Sequence, residues 1–296
     1  MLRSVHAVTY TAPNFDASCV ALESAFGYHR VDEGRITEEL AAFWGAAATA
    51  GSRTAIFRPS SAEAIYIRLI EQIRSDNYQP LRTFGWNAAE LHVRDVNALA
   101  AELDESAFRV LGGPRDLLED GTAVALQVMG PSEEVFYLTE INGAAMQQSY
   151  GKAASPVGRT FIVVLGCSNV AESLEFYSHL CEDTTEPHEF PIRVLASAHS
   201  LDPIATRFPI ASAILQEQFR IELDGYPDTA IPRPVDDACL PPGLCMVSFL
   251  VDSHDELPLA PLRAMSGIDS LLYRDRPTAL IQGPDGELLE LIASPS

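Results

Sequence analysis

Residues 283–293 read GPDGELLELIA, and they decide the fold class. Asp285-Gly286 is a strong hairpin turn, because both central positions tolerate positive φ. It joins two β-rich runs, Thr278–Gln282 and Glu287–Ile292, into an antiparallel pair. Upstream, Met246–Val251 predicts a further strand, separated from the hairpin by a poorly patterned, Pro-interrupted stretch at 258–265.

The same order of elements occurs three times before it. The nearest copy has a strand at Thr160–Leu165 and a helix from about Val170 to Leu180, with the stripe Val170, Leu174 and Tyr177 on one face. It closes on a strand near Arg220–Leu223. Another copy starts with Ala88–Val93, continues with a helix over Val96–Leu103, and closes with strands at Ala123–Val128 and Val135–Ile141. In the first copy Ser4–Thr11 is the opening strand. Phe15, Cys19, Leu22 and Phe26 then share a helix face, and Gly27 supplies the stop. Strands follow at Tyr28–Val31, Thr54–Phe57 and Ala64–Ile70, with an Ala-rich inserted helix at Glu38–Ala50. Asp95 and Asn169 stand as helix caps. Four βαβββ units make an α+β protein.

Residues 142–158, NGAAMQQSYGKAASPVG, are small, polar and without apolar periodicity. They predict a linker at 143–157 between domains spanning 1–142 and 158–296, two units in each. The stretch 188–219 fits the repeat least. Pro187, Pro191, Pro203 and Pro209 break it, which suggests a lid or a reshaped strand pair.

The bulk properties exclude several functions. A net charge of −21 repels nucleic-acid phosphates and an anionic membrane face. No apolar run approaches the ~20 residues that span a bilayer. The five cysteines, at 19, 167, 181, 239 and 245, show no CxxC spacing and suit burial in a reducing, cytoplasmic setting. The partners expected are a small molecule and, as an oligomer, a homodimer. Dinucleotide, P-loop and GxSxG fingerprints are missing.

The order strand, helix with an aromatic step, three strands resembles the module of the vicinal-oxygen-chelate superfamily, which includes glyoxalases, bleomycin-resistance proteins and extradiol dioxygenases. SVHAVTYTAPNFDASCVALESAFGYHRVDEG resembles an opening module, SNVAESLEFYSHLCED the helix with its Phe-Tyr pair, and GPDGELLELIA the closing hairpin. The resemblance implies sheets curled around cavities. There, ligands from first and last strands hold a divalent metal that chelates two substrate oxygens.

Read position by position, the first-strand places are His6, Ala88, Ile162 and Met246, and the last-strand places are Arg68, Tyr137, Glu222 and Glu290. A metal needs three or four converging N/O donors. With units pairing one–two and three–four, one cavity has only His6 beside the fixed cation Arg68. The other has Glu222 and Glu290 without a histidine. With units one and four paired, His6 and Glu290 become the candidate metal ligands. The cofactor expectation is therefore none, or a weakly bound divalent metal.

Four residues are candidates for catalysis. Glu222 and Glu290, in equivalent register, would face each other and shuttle a proton, or else point to solvent. Arg68 would clamp a substrate carboxylate or enolate, or else be solvated. Tyr137 would serve as a general acid or cavity-wall hydrogen bonder, or else be a packed strand tyrosine. His188 and His199 could enter a cavity from the irregular segment, whereas His29, His92, His179 and His254 read as surface. The resemblance thus implies an enzyme working on a small oxygenated or aromatic metabolite by proton-transfer, lyase or isomerase chemistry. The alternatives are a binding protein of the bleomycin-resistance kind and an extradiol-type dioxygenase.

Overall fold

A computed structural model describes residues 1–216, 218–253, 261–268 and 270–295. Module one consists of β1 (Leu2–Ala12), α1 (Phe15–Ser24), β2 (His29–Arg35), α2 (Glu38–Trp44), β3 (Arg53–Arg58) and β4 (Tyr66–Glu71). Module two has β5 (Gly85–Val93), α3 (Val96–Leu103), β6 (Arg109–Asp116), β7 (Ala123–Met129) and β8 (Val135–Ile141). After α4 (Ala144–Tyr150), module three has β9 (Val157–Cys167), α5 (Val170–Ser178), β10 (Asp183–Thr184), β11 (His188–Phe190), α6 (Arg193–Ala198), β12 (Phe208–Ile214) and β13 (Arg220–Gly225). Module four contributes β14 (Leu244–Val251), β15 (Arg263–Met265), β16 (Thr278–Gln282) and β17 (Leu288–Ala293). Of the Pro-interrupted stretch, 258–260 lie outside the described residues and 263–265 form β15.

Within each module the first strand lies parallel to the last, as in β1–β4, β5–β8, β9–β13 and β14–β17. Modules then join first strand to first strand, antiparallel. β1 pairs with β14 and β5 with β9. The result is an eight-stranded sheet from modules one and four, and a nine-stranded sheet from modules two and three. Each sheet therefore takes one module from either side of 143–157. The first half of that stretch, Ala144–Tyr150, is a short helix, α4, with no buried residue, and 151–156 connect it to β9.

Strand alternation sorts the side chains into three cores. One is shared, between the backs of the sheets. It takes Val8 and Tyr10 from β1, Ala89 and Leu91 from β5, and the α1 stripe Phe15, Cys19, Leu22 and Phe26. Gly27 ends α1 at φ +64°, and Phe26 stacks on Phe108 with ring centres 4.3 Å apart. The Tyr10 hydroxyl ties the sheets together, donating to the Val135 carbonyl at 2.9 Å and accepting from the Ala89 amide at 3.1 Å. Asp95 and Asn169 cap α3 and α5 through their side-chain oxygens. The other two cores lie on the opposite faces of the two sheets, one each.

Three elements depart from the sequence pattern. The inserted helix is shorter, because Gly45 at φ +73° ends α2 and a single 3₁₀ turn follows at Ala47–Thr49. The edge strand β6 has no apolar alternation, since most of it faces solvent. The stretch 188–219 folds as β11, α6 and β12, with β11 and β12 forming an antiparallel strand pair and β11 and α6 lining a cleft. No helix among the described residues is long and apolar enough to cross a membrane.

Candidate functional site

The concave face of the first sheet is filled. The β1–β4 register places Thr9 opposite Arg68, and the β14–β17 register places Ser248 opposite Glu290. Arg68 is 2% exposed and Glu290 fully buried. The Arg68 guanidinium donates to Thr9 Oγ1 at 2.9 Å, to the Tyr273 hydroxyl at 2.8 Å and to Glu290 at 3.4 Å, and lies over the Trp44 ring. Glu290 also accepts from Trp44 Nε1 at 2.9 Å, Ser248 Oγ at 2.5 Å and the Tyr273 hydroxyl at 2.6 Å. Burial opposes the charge of Arg68, but Tyr273 and Glu290 outweigh it and hold the guanidinium above its usual range. Every arm of the fork is engaged, so Arg68 offers no clamp to a substrate.

Modules one and four do pair, yet His6 does not meet Glu290. It stands three residues before the register partner of Arg68. Its Nε2 lies 3.1 Å from the Leu272 carbonyl and 3.4 Å from Arg276. Burial, then the neighbouring Arg276, lowers its pKa to about 4. A fixed cation among the donors and a histidine turned elsewhere do not fit a metal. Glu222 and Glu290 do not face each other either. Their strands lie in different sheets, because module three pairs with two and module four with one. Tyr137 belongs to the second sheet too, apart from His6 and Arg68.

The second sheet holds an open cleft of about 220 Å³ beneath β11 and α6. Glu90 of β5 and Tyr137 of β8 are register partners on its floor. Thr139 Oγ1 donates to Glu90 Oε1 at 2.5 Å. Glu222 enters from β13, and Asp224, two residues on and on the same face, stands buried behind it. Burial first, and then the Glu222 charge, push the Glu90 pKa up to about 8, with the Thr139 bond partly opposing. Burial and the adjacent Asp224 hold Glu222 well above the usual carboxyl range. Burial raises Asp224 to about 7; its hydrogen bond with Glu222 pulls the other way and the Glu90 charge adds to the rise. Glu222 and Asp224 therefore share a proton near neutral pH. The Tyr137 hydroxyl and Gln127 Oε1 are buried without a hydrogen-bond partner among the described residues, and both residues line the cleft.

Glu90 and Asp224 escaped the sequence reading. The first-strand place assigned to Ala88 lies two residues before Glu90 on the same face, and Asp224 stands in the same relation to Glu222. The signal was a carboxylate inside an apolar strand, AAELHV and RIELDG, which is costly to bury unless it is paired or protonated. His188 lines the cleft from β11. His199 does not, since its ring bonds Thr229 and the Leu81 carbonyl. His92 is buried rather than superficial, stacked on Phe161 at 3.8 Å, and burial followed by Arg159 lowers its pKa to about 3. His29 and His179 are exposed, and His254 lies outside the described residues.

No three His, Cys, Asp or Glu side chains among the described residues form a metal-holding group. The second cleft brings no such group of three together either, and so does not fit a conventional metal centre. A larger cleft of about 300 Å³ contains Arg233, Asp285 and Glu287. All three are structural braces. Arg233 donates to Thr83 and to the carbonyls of Pro242, Leu244 and Trp86, Asp285 accepts from Ser168 and Ser173, and Glu287 accepts from Tyr177.

No family model and no curated protein matches the chain. Solved structures do. Glyoxalase I from Zea mays is 14% identical with a TM-score of 0.61, over 98% of this chain and 92% of that one. A putative dioxygenase from Bacillus subtilis is 8% identical with a TM-score of 0.60, over 100% and 86%. At such identities the likeness concerns architecture. Together with the fourfold βαβββ repeat and the two curled sheets, it shows that the chain has the fold of the vicinal-oxygen-chelate superfamily.

Proposed function

We propose that the cleft of the second sheet is an acid–base site that moves a proton on a small oxygenated or aromatic metabolite. The observation that carries this is the convergence of three carboxyls, Glu90, Glu222 and Asp224, on one cleft from β5 and β13, each with its pKa raised by burial. Near neutral pH Glu90, raised to about 8, is mostly protonated, and Asp224, raised to about 7, stands part-ionised beside a Glu222 held above the usual carboxyl range. Asp224 can take the proton of Glu222, leaving Glu222 as a carboxylate towards the ligand. That carboxylate accepts a proton from a carbon beside a carbonyl. Glu90 returns a proton to the oxygen or to a neighbouring carbon, so the ligand leaves as an isomer with no net change of charge. Tyr137, with its unpartnered hydroxyl, would donate a hydrogen bond to the developing oxyanion.

Glu90 and Glu222 sit on β5 and β13, with β9 between them, roughly 10 Å apart at the backbone. That spacing leaves room for a flat ligand lying over Ile162. A divalent ion is expected to bind weakly here, in competition with protons, or not at all. The test is solvent deuterium incorporation, followed by NMR, into small carbonyl compounds with acidic C–H bonds. Wild-type protein should exchange such protons, and Glu222→Gln and Glu90→Gln should each slow exchange about a hundredfold or more. Compounds that bind saturably without exchanging would instead support the second reading, a protein that binds without turnover.

A further inference from the structure

We infer that the ligand of this cleft carries a carboxylate, received by Arg115 and Arg193 at the cleft mouth. The inference rests on the cleft being the site and adds the chemical class of what enters it. Cations are scarce in this chain, 20 Lys and Arg against 41 Asp and Glu. Among the described residues, most buried or half-buried arginines of the fold have a partner. Arg30, Arg53 and Arg68 are ion-paired, and Arg233 is bonded to carbonyls. Arg115 and Arg193 both line the cleft and have neither an ion pair nor a side-chain hydrogen bond among the described residues. Arg115 is half-buried, and burial together with the Arg193 charge disfavours its cationic form. Arg193 is exposed at the mouth, close enough for its charge to act on Arg115, and two guanidiniums on one cleft without a counter-ion form an incomplete anion site.

Their proximity is built into the backbone. Arg115 comes from β6, and Arg193 opens α6, which lies against that strand. Gly112 of β6 makes this possible. A Cβ there would stand 2.6 Å from Gln127 Oε1 and 3.2 Å from Val194. Behind the arginines, buried Tyr137 and Gln127 offer an unpartnered hydroxyl and an unpartnered oxygen to a polar ligand body. The floor carries the carboxyl groups, which disfavours a second negative charge at depth. A small monocarboxylate with an apolar or carbonyl-bearing body matches this gradient, with its anion at the mouth and its reacting carbon at Glu222. A phosphate dianion does not.

The probes are benzoate, pyruvate, benzamide and inorganic phosphate, titrated by ligand-detected NMR and calorimetry. Benzoate or pyruvate should bind saturably, and more weakly as salt rises. Benzamide should bind about tenfold more weakly than benzoate, or worse. Arg115→Ala and Arg193→Ala should each weaken carboxylate binding about tenfold and leave benzamide unchanged. Both residues are solvent-accessible and without partners, and circular dichroism checks that the variants fold. Glu222→Gln should retain carboxylate binding, which separates failure of this inference from failure of the proton-transfer reading. Equal binding of benzoate and benzamide, full binding by both arginine variants, preference for phosphate, or no saturable binding of either carboxylate would each overturn it.

Discussion

Glu290→Gln tests whether the first sheet is scaffold or site. The carboxylate is fully buried and accepts from Trp44, Ser248, Tyr273 and Arg68. Glutamine keeps the volume and one acceptor oxygen, but it removes the charge opposite a guanidinium that is 2% exposed. Its amide group also points donors at hydroxyls and an indole N–H that already donate. Breaking a buried pair from one side costs about 3–5 kcal/mol. The retained acceptor places this substitution near the lower end, about 3 kcal/mol, against a total stability of about 5–15 kcal/mol. Urea titration followed by tryptophan fluorescence should show the lower midpoint directly, since Trp44 touches the substituted group. Adding Arg68→Met should recover most of the loss, because removing both charges together is often neutral. Carboxylate binding and proton exchange in the second cleft should survive in the folded variant. A stability within about 0.5 kcal/mol of wild type, or a folded Glu290→Gln protein that has lost cleft activity, would refute the scaffold role.

Stability should depend on pH in a definite direction. Glu90 and Asp224 have folded pKa values of about 8 and 7, above those of unfolded carboxyls, so the folded state binds more protons. Their stabilising effect is full below the unfolded carboxyl pKa of about 4 and declines as pH rises from there until it is lost at about 7 to 8. His6 and His92, lowered to about 4 and 3, act oppositely and lose stability as pH falls below about 6.5. The two effects offset each other between about pH 4 and 6.5, so urea midpoints should be nearly level there and fall as pH rises from about 6.5 to 8, and Glu90→Gln should flatten that fall; a midpoint rising steadily to pH 9 would contradict the buried carboxyls. Gly112→Val should push α6 from β6 and weaken carboxylate binding about tenfold with little change in circular dichroism; unchanged affinity would show that α6 does not place Arg193. Titration with Mg²⁺ or Mn²⁺ at pH 7 should give binding no tighter than about millimolar, and retention of one equivalent through dialysis would show that the carboxyls ligate a metal after all.

The closing hairpin, the α1 stripe and both helix caps were legible because each is local. Turn chemistry, periodicity and capping act over a few residues and leave a pattern in one sequence. Module pairing was not legible, since β1–β14 and β5–β9 form between elements whose own patterns are equally good for either partner. The site inherited that uncertainty. Glu222 and Glu290 look equivalent in sequence, but one faces a cleft and the other a guanidinium. His92 read as superficial because alternation alone does not tell which face of β5 is covered, and Phe161, which covers it, comes from the next module.

The antiparallel seam between β1 and β14 brings residue 2 against residue 251. The second sheet, by contrast, is complete within residues 85–225. Closing a long loop costs entropy before its contacts repay it, so widely separated strands join late. During synthesis the sheet with the open cleft can assemble while β1 still waits for a partner not yet made. We predict that pulse-labelled hydrogen exchange protects the β5 and β9 amides before those of β1 and β14; simultaneous protection would count against it. Until the seam closes, module one would present an unpaired β1 edge, and the period of greatest exposure to misassociation would belong to the scaffold sheet rather than to the sheet that binds.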